Sequence, residues 1–193
     1  MSPRRPSPAL PLVLAMALAA CASAPPPPAP PPAPPPPAPR STAQEAVANL
    51  APASASLVSG RLVLRPEAGG VRLRGEVGGL APGSQHGFHV HEKGDCSAAD
   101  ASSAGGHFNP AAQPHGRSGH GAHHAGDADN LVADARGVAQ VDVLLPGVTL
   151  GGGAGNDIAG RAIIVHAAPD DYTTQPTGNA GARIACGVIR IVR

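Results

Sequence analysis

The sequence predicts an all-β domain, an eight-stranded antiparallel Greek-key barrel or sandwich with two long functional loops. Three observations predict it. Apolar and charged residues alternate at period two in Val71-Arg72-Leu73-Arg74-Gly75-Glu76-Val77 and again in Val138-Ala139-Gln140-Val141-Asp142-Val143, the pattern of strands with one face in a core. Gly69-Gly70, Gly78-Gly79, Pro82-Gly83 and Pro146-Gly147 punctuate these runs with turn-forming pairs. Helical periodicity is hard to find past residue 50.

The chain opens on Arg4 and Arg5, an apolar run from Ala9 to Ala20, and Leu18-Ala19-Ala20-Cys21. A basic start, a short apolar stretch and small residues before a cleavage point form a secretory signal over residues 1–20. The run falls short of the ~20 apolar residues that span a bilayer. Leu-Ala-Ala-Cys also resembles the lipobox of bacterial lipoproteins, in which Cys21 is lipidated and becomes the mature N-terminus. An ordinary signal peptide cut nearby would instead leave Cys21 spare.

Pro25 to Pro39 contains only Pro and Ala. Proline fixes φ and lacks an N–H, so the stretch should be extended polyproline II of about 45 Å. Residues 21–50 are therefore expected to form a tether, and residues 51–193 a single domain. Loss of Arg4 and Arg5 with residues 1–20 takes the formal charge from +1 to −1, and nothing suggests a nucleic-acid partner. With only Phe88, Phe108 and Tyr172 as aromatics, the core must be built from Val, Leu, Ile and Ala.

Within the domain, Leu62-Val63-Leu64, Val71 to Val77, Phe88 to His91, Val138 to Val143, Arg161 to His166 and Ile184 to Val192 are strand candidates. Two segments break the pattern: Glu92 to Ala125 and Ala167 to Ala182 are long, polar and rich in Gly, Ser, His and Asp. Loops of that length in a compact domain are usually functional. Cys96 and Cys186 are an even pair in an exported segment and are most simply a disulfide, with metal ligation by the thiols as the rival.

The candidate ligands fall in or beside these loops. On a strand, His89 and His91 project from the same face while Val90 points to the core. His166 ends another apolar strand, and with His107 makes four nitrogen donors that suit tetragonal Cu(II). His107, His115, His124 and Asp127 lie 8, 9 and 3 residues apart; three nitrogens and a carboxylate suit a closed, tetrahedral Zn²⁺ site. His123 competes with His124 on spacing alone, and His86 and His120 belong to neither set.

Gly87-Phe88-His89-Val90-His91-Glu92, Gly105-Gly106-His107-Phe108-Asn109-Pro110, His124-Ala125-Gly126-Asp127 and the run from Gly178 to Ile189 together resemble copper,zinc superoxide dismutase, in its bacterial exported, lipoprotein-type form. The resemblance covers about Ser56 to Val192. It implies one copper per subunit on His89, His91, His107 and His166, and one zinc on His107, His115, His124 and Asp127. His107 thus serves both metals, which spacing cannot reveal. It also implies a Cys96–Cys186 disulfide, an active-site Arg183, and Asp170 as the carboxylate joining His89 to His115. The implied reaction converts superoxide to O₂ and H₂O₂, with His107 as proton donor, in the periplasm or at the cell surface of an envelope that it protects.

Departures from the eukaryotic pattern are informative. Cys96 follows His91 by only five residues, and no acidic and lysine residues for guiding substrate stand near Asp170 to Gln175. Lys93, the chain's one lysine, is the candidate for steering superoxide, or else a solvated loop residue. A copper-delivery lipoprotein on the same fold would need the metals but not Arg183. The membrane is a partner through lipidated Cys21, and the sequence leaves open whether the chain is a monomer or a homodimer.

Overall fold

The computed structural model describes residues 38–193. The signal peptide, Cys21 and all but the end of the Pro/Ala stretch lie outside the described residues. Among the described residues ten strands form: β1 (Ala46–Pro52), β2 (Ser59–Glu67), β3 (Gly70–Gly78), β4 (Gln85–His86), β5 (Phe88–His91), β6 (Leu131–Val132), β7 (Ala139–Pro146), β8 (Ala162–His166), β9 (Arg183–Val188) and β10 (Arg190–Ile191). A three-residue 3₁₀ turn at Ser102–Ala104 is the longest helical segment among the described residues.

The main sheet has the order β5-β8-β9-β1-β2-β3-β7, with β10 also on β1, and β4 and β6 pair separately. All these pairings are antiparallel. The sheet curls because β1 belongs to both halves: Ala46 to Leu50 pair with β2, whereas Ala51 and Pro52 pair with Cys186 and Ala185 of β9. After β3 the chain leaves for β5 in the other half and returns through β6 to lay β7 beside β3, the long return of a Greek key.

Alternation holds where it was expected. In β2 and β3, Leu62, Leu64, Val71, Leu73 and Val77 are buried, while Arg61, Arg65, Arg74 and Glu76 face solvent. β8 is buried throughout. Ile163 and Val165 join the main core; Ala162 and Ile164 pack beneath Ala101, Ala104 and the cystine, which forms a second small core. The first long loop thus lies over β8, stapled to β9 by the Cys96–Cys186 disulfide with Cα atoms 5.8 Å apart.

One boundary is corrected. Residues 46–50, expected in the tether, form most of β1 at the centre of the sheet. The domain begins earlier still: Ser41 Oγ accepts the Leu150 N–H at 2.9 Å, Thr42 and Ala43 donate to the Leu150 carbonyl, and Gln44 and Glu45 donate to that of Arg193. The Ala-rich Ala46-Val47-Ala48-Asn49-Leu50 carries weak strand propensity, and its place comes from pairing on both sides rather than from local preference. Pairing of Ala46 with Ile191 and of Pro52 with Ala185 puts the domain's entry at the end of the sheet away from Arg183.

Candidate metal centre

Three ligand candidates sit on strands. His89 and His91 are both buried on β5, facing Ile164 and Ala162 of β8, and His166 ends β8 at a register shift opposite Arg183. Short bridges then carry loop residues to them, His107 opposite His91 and Asp127 opposite His89. Gly126 makes this possible: its N–H and carbonyl join the Phe108 and Val90 backbones, and a Cβ there would stand 2.2 Å from the Val90 carbonyl oxygen.

Two clusters result, each with one ligand atom per residue and all such atoms within 4.8 Å of one another: His89, His91, His107 and His166, and His107, His115, His124 and Asp127. The two sets expected from the sequence are the two sets formed, with His107 in both. All seven residues are buried.

The partner of each imidazole settles which nitrogen is left to bind. His91 Nδ1–H donates to the Gly105 carbonyl at 2.9 Å, and His166 Nδ1–H to that of Gly181 at 3.2 Å. Their Nε2 atoms stand 3.4 Å apart. With both ring protons committed elsewhere, these are two converging lone pairs, not a hydrogen bond. His89 Nε2–H donates to Asp170 Oδ2 at 2.7 Å and His115 Nε2–H to Asp170 Oδ1 at 2.9 Å. Each then turns Nδ1 inward, and Asp170 ties one cluster to the other.

Among the described residues four buried imidazole nitrogens have no hydrogen-bond partner: His89 Nδ1, His107 Nε2, His115 Nδ1 and His124 Nδ1. Such groups are rare in folded proteins and each costs on the order of 1–3 kcal/mol. Four of them converging on two points fit a pair of cations. His115 Nδ1 and His124 Nδ1 lie 3.1 and 3.4 Å from the Asp127 carboxylate without hydrogen-bond geometry, which is how ligands of one ion stand beside each other. Asp127 Oδ1 also takes His107 Nδ1–H at 2.9 Å, and Oδ2 accepts the Gly116 and His124 N–H groups at 3.1 and 2.8 Å.

Charge follows the same division. Burial pushes His107 down to about 4 and His166 to about 3, and holds His91 well below its ordinary value. These imidazoles are neutral at physiological pH, the form that ligates. In the second cluster burial works against charge but loses. Asp127 and Asp170 are held well below the carboxylate range by the imidazoles around them, and the same two carboxylates raise His115 to about 9. That pocket is built to receive positive charge.

Arg183 is aimed by two carbonyls, NH1 on Ala101 at 2.7 Å and NH2 on Gly105 at 2.6 Å. His86, outside both clusters, donates Nδ1–H to the His166 carbonyl at 2.7 Å and takes the Ser84 hydroxyl on Nε2 at 2.6 Å, a structural role. His120 is exposed and His123 turns Nδ1 to the His124 carbonyl, so His124 and not His123 joins the cluster. Lys93 is exposed; its N–H donates to the Ala104 carbonyl, one residue from the carbonyl that Arg183 holds. Sequence reasoning missed Asn130, whose carboxamide pairs both backbone groups of Asp170 at 2.8 and 2.9 Å, and Gln175, which does the same for His115.

Known proteins resemble this chain in sequence and fold. The family profile described as Copper/zinc superoxide dismutase (SODC) matches residues 58–189. The chain is 43% identical over 136 residues to Cu-Zn superoxide dismutase 2 of Aquifex aeolicus, covering 69% of this chain and 80% of that one. It is 48% identical over 126 residues to the Cu-Zn superoxide dismutase of Caulobacter vibrioides, covering 63% and 72%. Among solved structures, the clock protein EA4 superposes with a TM-score of 0.70 at 37% identity, covering 79% of this chain and 97% of that one. A superoxide dismutase-like protein from Bacillus subtilis gives 0.67 at 37%, covering 73% and 95%. With this match over residues 58–189, the chain belongs to the copper/zinc superoxide dismutase family, enzymes that disproportionate superoxide with copper and zinc as cofactors.

Proposed function

We propose that the chain is an exported, lipid-anchored superoxide dismutase that protects the cell envelope, in the periplasm or at the cell surface. In this reading copper is held by His89, His91, His107 and His166, and zinc by His107, His115, His124 and Asp127. The observation that carries the assignment is the set of buried, partnerless nitrogens: Nε2 of His107 opens to the all-histidine cluster while its Nδ1 faces Asp127.

Bound copper would exchange single electrons with superoxide, and zinc would supply a fixed positive charge that holds and acidifies the shared imidazole. The rest is work for the chain. Arg183 stays charged, and its planar fork, braced on Ala101 and Gly105, can hold a small anion beside the all-histidine cluster. His107 Nε2 is the atom placed to hold a proton and give it up to the departing peroxide, because zinc would occupy Nδ1, the nitrogen that faces Asp127. Asp170 keeps His89 and His115 in the required tautomers.

Cys21 behind an apolar run and the Pro/Ala stretch support the anchor. So does the chain's entry at the end of the sheet away from Arg183. The test is metal content and superoxide removal by the copper- and zinc-loaded chain, beside His166→Ala. Wild type should hold one of each metal and be active; His166→Ala should lose copper and activity but keep zinc. Full copper and activity in His166→Ala would overturn the assignment.

A further inference from the structure

We infer that Gln175 is the positioning residue that holds His115 ready for zinc, in place of the strand, bridge or turn bonds that fix the other ligands. His89, His91 and His166 are fixed by strands, and His107 and Asp127 by bridges to β5. His124 is fixed through its own backbone, its N–H on Asp127 Oδ2 and its carbonyl accepting the Asp127 N–H. His115 has neither strand nor bridge; it lies in open loop between Pro114 and Gly116.

Its own N–H and carbonyl are both held by one side chain. The His115 N–H donates to Gln175 Oε1 at 2.8 Å, and Gln175 Nε2 donates to the His115 carbonyl at 2.9 Å. A carboxamide offers one acceptor and one donor in a plane, so it mimics the paired bonds that a neighbouring strand would make. Gln175 is held in turn, since Nε2 also reaches the Thr173 carbonyl at 3.3 Å. The same loop supplies Asp170, which takes His115 Nε2–H at 2.9 Å. Backbone and ring are thus grasped together from residues 167–182, and Nδ1 is turned toward Asp127. Gly178 lets the loop come so close, because a Cβ there would lie 1.7 Å from Asp170 Oδ1 and 2.7 Å from His115 Nε2.

The second long loop therefore sets zinc affinity from outside the ligand set. Losing both Gln175 bonds leaves His115 to be ordered by the metal itself, and that ordering cost appears as weaker binding. Copper affinity should hardly change, because its ligands stand on strands and on the His107 bridge. The inference rests on the zinc assignment above.

The experiment titrates the metal-free full chain, wild type, Gln175→Ala and Gln175→Glu, with cobalt(II) as a spectroscopic probe, and with zinc and copper(II) against competing chelators. Gln175→Glu keeps an acceptor for the His115 N–H but sets an oxygen against the His115 carbonyl. Wild type should show the intense visible absorption of four-coordinate cobalt. Both variants should bind zinc about tenfold more weakly and copper within about twofold of wild type. Wild-type zinc affinity in Gln175→Ala, or equal weakening of copper and zinc, would overturn the role of Gln175. Failure of the wild type to give the four-coordinate cobalt spectrum would instead overturn the zinc assignment beneath it.

Discussion

His91 and Arg183 share one acceptor: the Gly105 carbonyl takes the His91 Nδ1–H at 2.9 Å and an Arg183 guanidinium N–H at 2.6 Å. One backbone oxygen therefore links an imidazole of the all-histidine cluster to the guanidinium proposed to meet the substrate. Gly105 adopts φ +74°, and a Cβ would strike the Glu92 carboxylate, so the turn that presents this oxygen needs glycine.

Arg183→Lys should expose the value of that arrangement. Lysine keeps the charge but cannot donate to Ala101 and Gly105 at once while still facing an anion. The loaded variant should keep its copper and lose about tenfold in rate, with Arg183→Ala losing more. Metal analysis beside a superoxide-removal assay checks this, and equal rates for Arg183→Lys and wild type would show that charge alone suffices.

Asp127→Ala should empty the zinc cluster and loosen the loop that it gathers. The carboxylate receives His107 Nδ1–H and the Gly116 and His124 N–H groups, so three buried donors lose their acceptor. At about 1–3 kcal/mol for a stranded group, the loss should be about 3 kcal/mol, or roughly 10 °C in melting temperature. Chelating zinc from wild type should lower its melting temperature as well, whereas the variant should not respond to the same treatment. Equal melting temperatures for zinc-replete wild type and Asp127→Ala would contradict this.

Gly178→Ala tests the link between the clusters. The position has φ +66°, and the added methyl would overlap Asp170 Oδ1, which no small shift relieves. Asp170 must then leave His115 or His89. Zinc affinity should fall by more than in Gln175→Ala, and calorimetry should show a lower melting temperature. A wild-type melting curve and zinc affinity would mean that the loop can retreat without releasing either imidazole.

Much of this was readable from the chain. Arg72, Arg74 and Glu76 alternating with Val71, Leu73 and Val77 declare one wet face, and an HxH pair on a strand shares a side by geometry. The ligand sets needed the motifs as well as the spacing. β1 escaped notice because alanines pack well in a central strand yet signal little, and β4 and β6 are two residues long. Gly105 and Gly181 carbonyls orient His91 and His166, but every residue has a carbonyl, so sequence cannot mark the ones used. Gln175 was illegible for a related reason: its bonds go to a backbone 60 residues away.

Cys21→Ser should decide where the enzyme resides. Its thiol is the proposed attachment point, and both clusters are built from residues 89–166, so the substitution should touch neither cluster. The variant should appear in the soluble exported fraction with unchanged specific activity, while wild type stays with membranes. Wild type that fractionates as fully soluble would remove the anchor from the account.

Substrate capture is the most sensitive to charge. Without residues 1–20 the chain carries about one negative charge, so superoxide gains nothing from the molecule as a whole, and a fast enzyme needs a local positive field. Arg183 supplies it at the metal end: burial draws its basicity down and Asp100 partly restores it, a carboxylate that also weakens the outward field. Arg61, Arg65 and Arg74 lie on the outer face of β2 and β3, away from the clusters. Arg117 is paired with Asp129 and Arg161 is tied to the Asp157 and Glu92 carbonyls, so exposed Lys93, rooted beside Ala104, is the candidate second source. Exposed charges are screened within about 8 Å at physiological salt, so activity should fall as ionic strength rises. Arg183→Ala should lower the rate and flatten that fall. Lys93→Ala should flatten it while leaving copper content unchanged, and Asp100→Asn should raise the low-salt rate about twofold. Stopped-flow rates across a salt series decide the matter: a Lys93→Ala enzyme that follows wild type at every ionic strength would make Lys93 an ordinary solvated loop residue.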